Sequence, residues 1–237
     1  MMSLTPTDRI YVALDTPDIE KAMGLARMLA GHVGGVKLGM EFYYANGPAG
    51  ARAISALGMP LFLDLKFHDI PNTVAGAVRS TLDLNPAILN VHAQGGPTMM
   101  QAAANAVETA GDDKPLLIAV TVLTSLSDDD LQAVGVNDGT ESQVVRLARL
   151  TQACGLGGVV CSPREIRAIR AACGPDFKLV VPGIRPDWAA AGDQKRITTP
   201  AQAIRDGADF IVIGRPITGA DDPLAAVKRI ADELAGL

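Results

Sequence analysis

An α/β protein folded as a single (β/α)8 TIM barrel is what this sequence predicts, and three observations carry the prediction. Eight short, nearly continuous apolar runs alternate with longer helical patterns, as a parallel sheet covered on both faces requires. The length of 237 residues suits one barrel domain over 1–237. Charged residues gather at the C-terminal ends of the apolar runs, the face on which such barrels carry their chemistry.

RIYVALD (9–15) is the first strand, followed by the helical pattern DIEKAMGLARMLAG. VGGVKLG (33–39) is the second, and the helix after it ends near AISALG. PLFLDLKF (60–67) is the third, leading into IPNTVAGAVRSTLDLN, where Pro71 suits a first helical turn. AILNVHA (87–93) precedes GPTMMQAAANAVETAG, whose Met99 and Met100 are core or helix-surface positions. PLLIAVTV (115–122) comes next, then the acidic SDDDLQAVGV, read as a solvated helix start, and the helix ESQVVRLARLTQACG. GGVVCS (157–162), KLVVPG (178–183) and DFIVIGR (209–215) complete the strands, and DPLAAVKRIADELAG is the last helix. Helix stop signals recur at Gly31, Gly58, Gly111, Gly155, Gly174 and Gly207, and Pro163 and Pro223 fit helix starts.

Several function classes drop out on composition and motif. A net charge of −5 argues against a nucleic-acid partner, because phosphate neutralisation needs a basic face. No apolar run reaches membrane-spanning length, and the start MMSLTPTDR lacks the apolar core of an export signal. Cys154, Cys161 and Cys173 form no CxxC unit and read as reduced core thiols of a cytoplasmic protein. His32, His68 and His92 lack the spacing of a helix-borne metal pair and read as structural. No GxGxxG follows the first strand and no P-loop occurs, so dinucleotide and nucleoside-triphosphate sites lose support.

Polar placement points to a site. Asp15 ends the first strand, Lys37 lies near the end of the second, and Asp64 and Lys66 near the end of the third. Thr124 follows the fifth, Arg185 the seventh, and Arg215 ends the eighth, while no charge interrupts the N-terminal half of a strand. Two residues apart, Asp64 and Lys66 face the barrel mouth together if Leu63 and Leu65 face the helices, with Lys37 completing an Asp/Lys lattice. The plain alternative is a buried ion network that only fixes register. PGIR (182–185) and IGR (213–215) form a second constellation. Barrels often hold phosphate with the loops after strands seven and eight, so Gly183, Gly214 and Arg215 fit that use. Between them, RPDWAAAGDQKRITTP has the length of a lid and carries Gln194.

Taken in order, VALD, VKLG, DLKFHDIPNT, VTVLTS, PGIR, GDQKR and IGRPI resemble the orotidine 5′-monophosphate decarboxylase family, in its bacterial short form, over nearly the whole chain. Val181 stands where relatives often carry Thr before PGIR, a departure that touches no assigned role. The resemblance implies decarboxylation of orotidine 5′-monophosphate to UMP, with no cofactor and no metal. It implies that Lys66 donates a proton to C6 of the pyrimidine, that Asp64 sits beside the substrate carboxylate, and that Lys37 holds the array and the ribose. Asp15 would bind the ribose hydroxyls, and Thr124 would lie near the pyrimidine. Gln194, Gly214 and Arg215 would hold the phosphate, with Arg185 lining that pocket. Asp69, Ile70 and Thr73 resemble residues contributed across a homodimer interface into the partner's site. Barrel relatives with the same DxKxxD core act on 3-keto sugar phosphates with Mg²⁺, as decarboxylases or aldolases. They carry a Glu ligand on strand two, where this chain has Lys37. A non-catalytic barrel binding a phosphate ligand is the remaining reading, if the Asp/Lys array is structural.

Overall fold

A computed structural model describes residues 4–189 and 198–237. Its strands are β1 (Ile10–Ala13), β2 (Gly35–Gly39), β3 (Leu61–Phe67), β4 (Ile88–His92), β5 (Leu116–Val120), β6 (Gly158–Val160), β7 (Lys178–Pro182) and β8 (Phe210–Ile213). They close in sequence order into one barrel, every neighbour parallel, with β8 returning to β1. The helices between them include α1 (Ile19–Leu29), α2 (Met40–Ser55), α3 (Pro71–Thr81), α4 (Gly96–Val107), α5 (Asp128–Ala133) and α6 (Thr140–Ala153). They continue with α7 (Ile166–Cys173), α8 (Pro200–Asp206), α9 (Arg215–Thr218) and α10 (Pro223–Ala235). Each strand lies inside the stretch expected for it, and all but β2 and β3 end sooner, because the apolar pattern runs past the last ladder hydrogen bond.

Alternation along the strands sorts the core into two layers. Tyr11, Ala13, Phe62, Ile88, Ile118, Val180 and Val212 point inward and fill the barrel. Val12, Leu38, Leu63, Leu89 and Ile211 point outward and pack under the helices. Leu63 and Leu89 are fully buried, a burial worth about 1.5–3 kcal/mol for each side chain. Met99 and Met100 are core residues.

Local chemistry sets the helix ends. Asp18 accepts hydrogen bonds from the Glu20 and Lys21 N–H groups and caps α1. Ser127 and Asp130 form a capping box at the start of α5, so the acidic stretch opens a short helix. Pro71 and Pro223 sit in the first turns of α3 and α10. The six glycines read as stop signals all have positive φ.

One expectation needs correction. Charges do enter the N-terminal ends of strands: Lys178 opens β7 and Asp209 immediately precedes β8. They are tolerated because they pair, as Asp209 receives Arg170 at 2.8 Å and Lys178 at 3.1 Å.

Candidate active site

The C-terminal mouth of the barrel holds a cavity of about 340 Å³. Asp15, Lys37, Asp64 and Lys66 line one side, and Gly183, Arg185, Gly214 and Arg215 line the other. Thr124 lies on the wall between them. The barrel register explains the first group. Ala13 pairs with Lys37 and Gly39 with Asp64, so β1, β2 and β3 end at adjoining heights.

Charges alternate along this side. Lys37 Nζ lies 2.8 Å from Asp15 Oδ1 and 3.4 Å from Asp64 Oδ2. Lys66 Nζ donates to Asp64 Oδ1 at 2.6 Å. Asp15 is half exposed, whereas Lys37 and Asp64 are buried. Gly39 leaves room for the chain of contacts, since a Cβ there would stand 3.0 Å from Lys37 Nζ and 3.3 Å from Asp15 Oδ1.

Burial alone would push the Asp64 carboxyl up, but the Lys37 and Lys66 charges, with hydrogen bonds from Lys66 and Asn90, hold it below the usual carboxylate value. For Lys37, burial acts downward, and the Asp64 and Asp15 carboxylates outweigh it, so its ammonium is held more firmly than usual. Both groups are therefore ionised at neutral pH. Beside them, burial first, then the charges of His68 and Lys66, lower His92 to about 4, with Asp64 opposing. His92 is thus neutral at neutral pH, its ring 5.5 Å from that of His68.

Lys66 reaches Asp64 by a different route from the one strand alternation implies. It has φ +53°, a left-handed backbone that side chains other than glycine rarely adopt. The β3–β4 register shifts between Leu63 and Phe67. Leu63 and Leu65 do face the helix layer, as expected. The ammonium is therefore aimed by a bulge, not by simple i, i+2 alternation.

Asn90 is the site-associated residue that sequence reasoning missed. It is fully buried on β4 and donates from Nδ2 to Asp64 Oδ1 at 2.7 Å. Its signal was faint: an amide two residues beyond inward-facing Ile88, in an otherwise apolar run.

The second side is cationic. Arg185 is buried after β7, and Arg215 is exposed in the first turn after β8. Gly183 (φ +77°) turns the chain out of β7, and Gly214 precedes Arg215. Asp69, Ile70 and Thr73 lie beyond β3 on the exposed surface and do not line this cavity within their own chain. The Asp69 carboxylate accepts the Ile70 N–H at 2.7 Å, and Ile70 is 68% exposed. Gln194 and the central part of the expected lid fall outside the described residues. Among the described residues, no three His, Cys, Asp or Glu side chains cluster as a metal site would need.

The comparisons with known proteins agree in one direction. The family model described as orotidine 5′-phosphate decarboxylase / HUMPS family matches residues 8–230. An orotidine 5′-phosphate decarboxylase of Paramagnetospirillum magneticum is 56% identical over 95% of this chain and 97% of its own length. Another, from Moorella thermoacetica, is 52% identical over 99% of this chain and 95% of its own. The crystal structure of orotidine 5′-phosphate decarboxylase from Lactobacillus acidophilus superposes with a TM-score of 0.85 at 38% identity, over 95% of this chain and 98% of that one.

Proposed function

Since the chain belongs to the orotidine 5′-phosphate decarboxylase / HUMPS family, we propose that it decarboxylates orotidine 5′-monophosphate to UMP, with Lys66 as the proton donor. The observation that carries this reading is the Lys66 ammonium, 2.6 Å from a buried, ionised Asp64 at the cavity wall. Loss of CO₂ breaks the bond between C6 and the carboxylate carbon and leaves the electron pair on C6, in the plane of the ring. The ring π system cannot spread that charge. A preorganised ammonium stabilises it and then supplies the proton that forms the C6–H bond. The resulting amine of Lys66 regains its proton from solvent before the next turnover.

Asp64 holds Lys66 in place and presents negative charge where the substrate carboxylate would sit. At about 4 Å and an effective dielectric near 20, one unit-charge interaction is worth on the order of 4 kcal/mol, so electrostatics at this point is one contribution among several. Binding of the distant phosphate is another. Arg185, Arg215 and Gly214 would receive that group, Gln194 would join them, and the binding energy would align the reacting end. Asp15 and Lys37 would hold the ribose, and Thr124 the pyrimidine.

We also read the chain as one barrel domain that works as a cytoplasmic homodimer. Exposed Ile70, flanked by Asp69 and Thr73, supports a second subunit that takes these residues into its own site. Three buried, unpaired cysteines suit a reducing compartment. No metal or cofactor enters this scheme. The sugar-phosphate reading is disfavoured because Lys37 stands at the metal-ligand position of strand two and its ammonium ties both Asp15 and Asp64.

The test is the fall in orotidine 5′-monophosphate absorbance with purified protein in EDTA. Steady turnover is expected. Turnover that appears only after Mg²⁺ is restored would transfer the chain to the metal-dependent reading, and no turnover in either condition would remove the decarboxylase proposal.

A further inference from the structure

The β3–β4 ladder breaks where the charged array begins. Leu63 pairs with Leu89 and Phe67 with Val91, so Asp64, Leu65 and Lys66 together stand against the single residue Asn90. A backbone this crowded leaves N–H groups without a regular strand partner, and a buried donor must find one elsewhere. The Lys66 N–H donates to Asn90 Oδ1 at 2.8 Å. The other end of the same amide, Nδ2, donates to Asp64 Oδ1 at 2.7 Å, and that oxygen also receives Lys66 Nζ at 2.6 Å. The orientation of the amide follows from its partners, because a carboxylate only accepts and a backbone N–H only donates. Asn90 has no exposure and does not line the cavity, so it acts from behind the two residues that do.

We propose that Asn90 is a positioning residue for the decarboxylation: its carbonyl holds the Lys66 backbone in the left-handed bulge, while its NH₂ group fixes the Asp64 oxygen on which the Lys66 ammonium rests. One side chain thus locates both ends of Lys66, its backbone directly and its ammonium through Asp64. The assignment rests on Lys66 being the proton donor. Other residue types fit poorly. Asp at this position would keep the acceptor for the Lys66 N–H and set a carboxylate against Asp64. Leu would match the branching and leave the Lys66 N–H and one lone pair of Asp64 unpartnered.

The test compares the wild type with Asn90→Ala, Asn90→Asp and Lys66→Ala, measuring kcat and KM for orotidine 5′-monophosphate and Kd for UMP, each per folded site. Asn90→Ala is expected to lower kcat by about 10²-fold, the scale of a misplacement near 1 Å, and to change the UMP Kd by less than about threefold. A kcat within about threefold of wild type in folded Asn90→Ala would overturn the proposal. Asn90→Asp keeps the side-chain volume and carries the test if the alanine variant does not fold. Its added charge is expected to move the acid limb of kcat upward by about one pH unit, by raising the Asp64 carboxyl. An unmoved pH profile with near-wild-type kcat would overturn the proposal equally. Failure of the underlying reading looks different: Lys66→Ala would then turn over at the wild-type rate, whatever the Asn90 variants did.

Discussion

At the C-terminal end of the barrel, Asp64 is bracketed by Lys37 and Lys66; at the N-terminal end, Asp209 is bracketed by Arg170 and Lys178. The two carboxylates are equally buried, with side chains 12% and 13% exposed, so burial does not separate a site from a brace. Their partners do. Arg170 donates to the carbonyls of Gly174, Pro175, Phe177 and Gly207 as well as to Asp209, and Asp209 also accepts the Leu179 N–H. The lower network is closed upon the backbone and ties β7, β8 and α7 together. In the upper one, Lys37 and Lys66 line a cavity that opens to solvent. A charge network whose donors are consumed by the fold is a brace, and one that leaves an ammonium facing a cavity can do chemistry.

Removing a cation from each network is the strongest way to break this contrast. Lys66→Ala should lower kcat about 10³-fold or more while leaving UMP affinity measurable. Lys178→Ala should leave kcat nearly unchanged. Comparable losses in both, measured by steady-state turnover per folded site, would erase the distinction. Next in size is Asp209→Ala, which leaves Arg170 without its carboxylate and should cost about 3 kcal/mol of stability in urea melts. Turnover at low temperature should stay within about twofold of wild type, and a large fall there would make the lower network functional.

A third prediction concerns a carboxylate in neither network. If Asp69 serves the neighbouring subunit, inactive Lys66→Ala and Asp69→Ala chains should complement when mixed and exchanged. Half the dimers would be mixed, with one intact site of two, so activity should approach about a quarter of wild type. No recovery in verified mixed dimers would confine Asp69 to its own chain.

The smallest effect is in the pH dependence of stability. The Asp64 carboxyl is held below its ordinary 3.8. Its contribution is complete above that value and lost only as pH falls through the lower folded-state value. Lys37 is held above its ordinary 10.5, so its contribution is complete below that value and lost as pH rises through the higher folded-state one. Urea melts should show no dependence from these two groups between those limits, and Asp64→Asn should remove the acid-side loss. A slope near neutral pH that Asp64→Asn abolishes would contradict the assignment.

Much of the upper network was legible because its charges stand at strand ends in an apolar sequence, where little else explains them. Asp15, Lys37, Asp64 and Lys66 converge as their positions implied. The reason offered for Lys66 was incomplete, because period-two alternation says nothing about a register shift. Asn90 was hidden for a related reason: a neutral amide in a strand has no partner until the facing strand is known. The lower network was overlooked because Lys178 and Asp209 lie 31 residues apart in sequence and meet only when β7 and β8 pair. Local pattern identifies charges that are out of place, whereas pairing decides which of them are satisfied.

The bulge at Lys66 bears on how such barrels could be built anew. A left-handed lysine costs about 1 kcal/mol or more against a regular strand, so any procedure that smooths a barrel toward ideal strands would remove it first. The regularised scaffold would be more stable and would hold the same four charged residues, yet its ammonium would stand elsewhere. A designer wishing to keep this chemistry must copy the irregularity together with the amide on the next strand, as one unit.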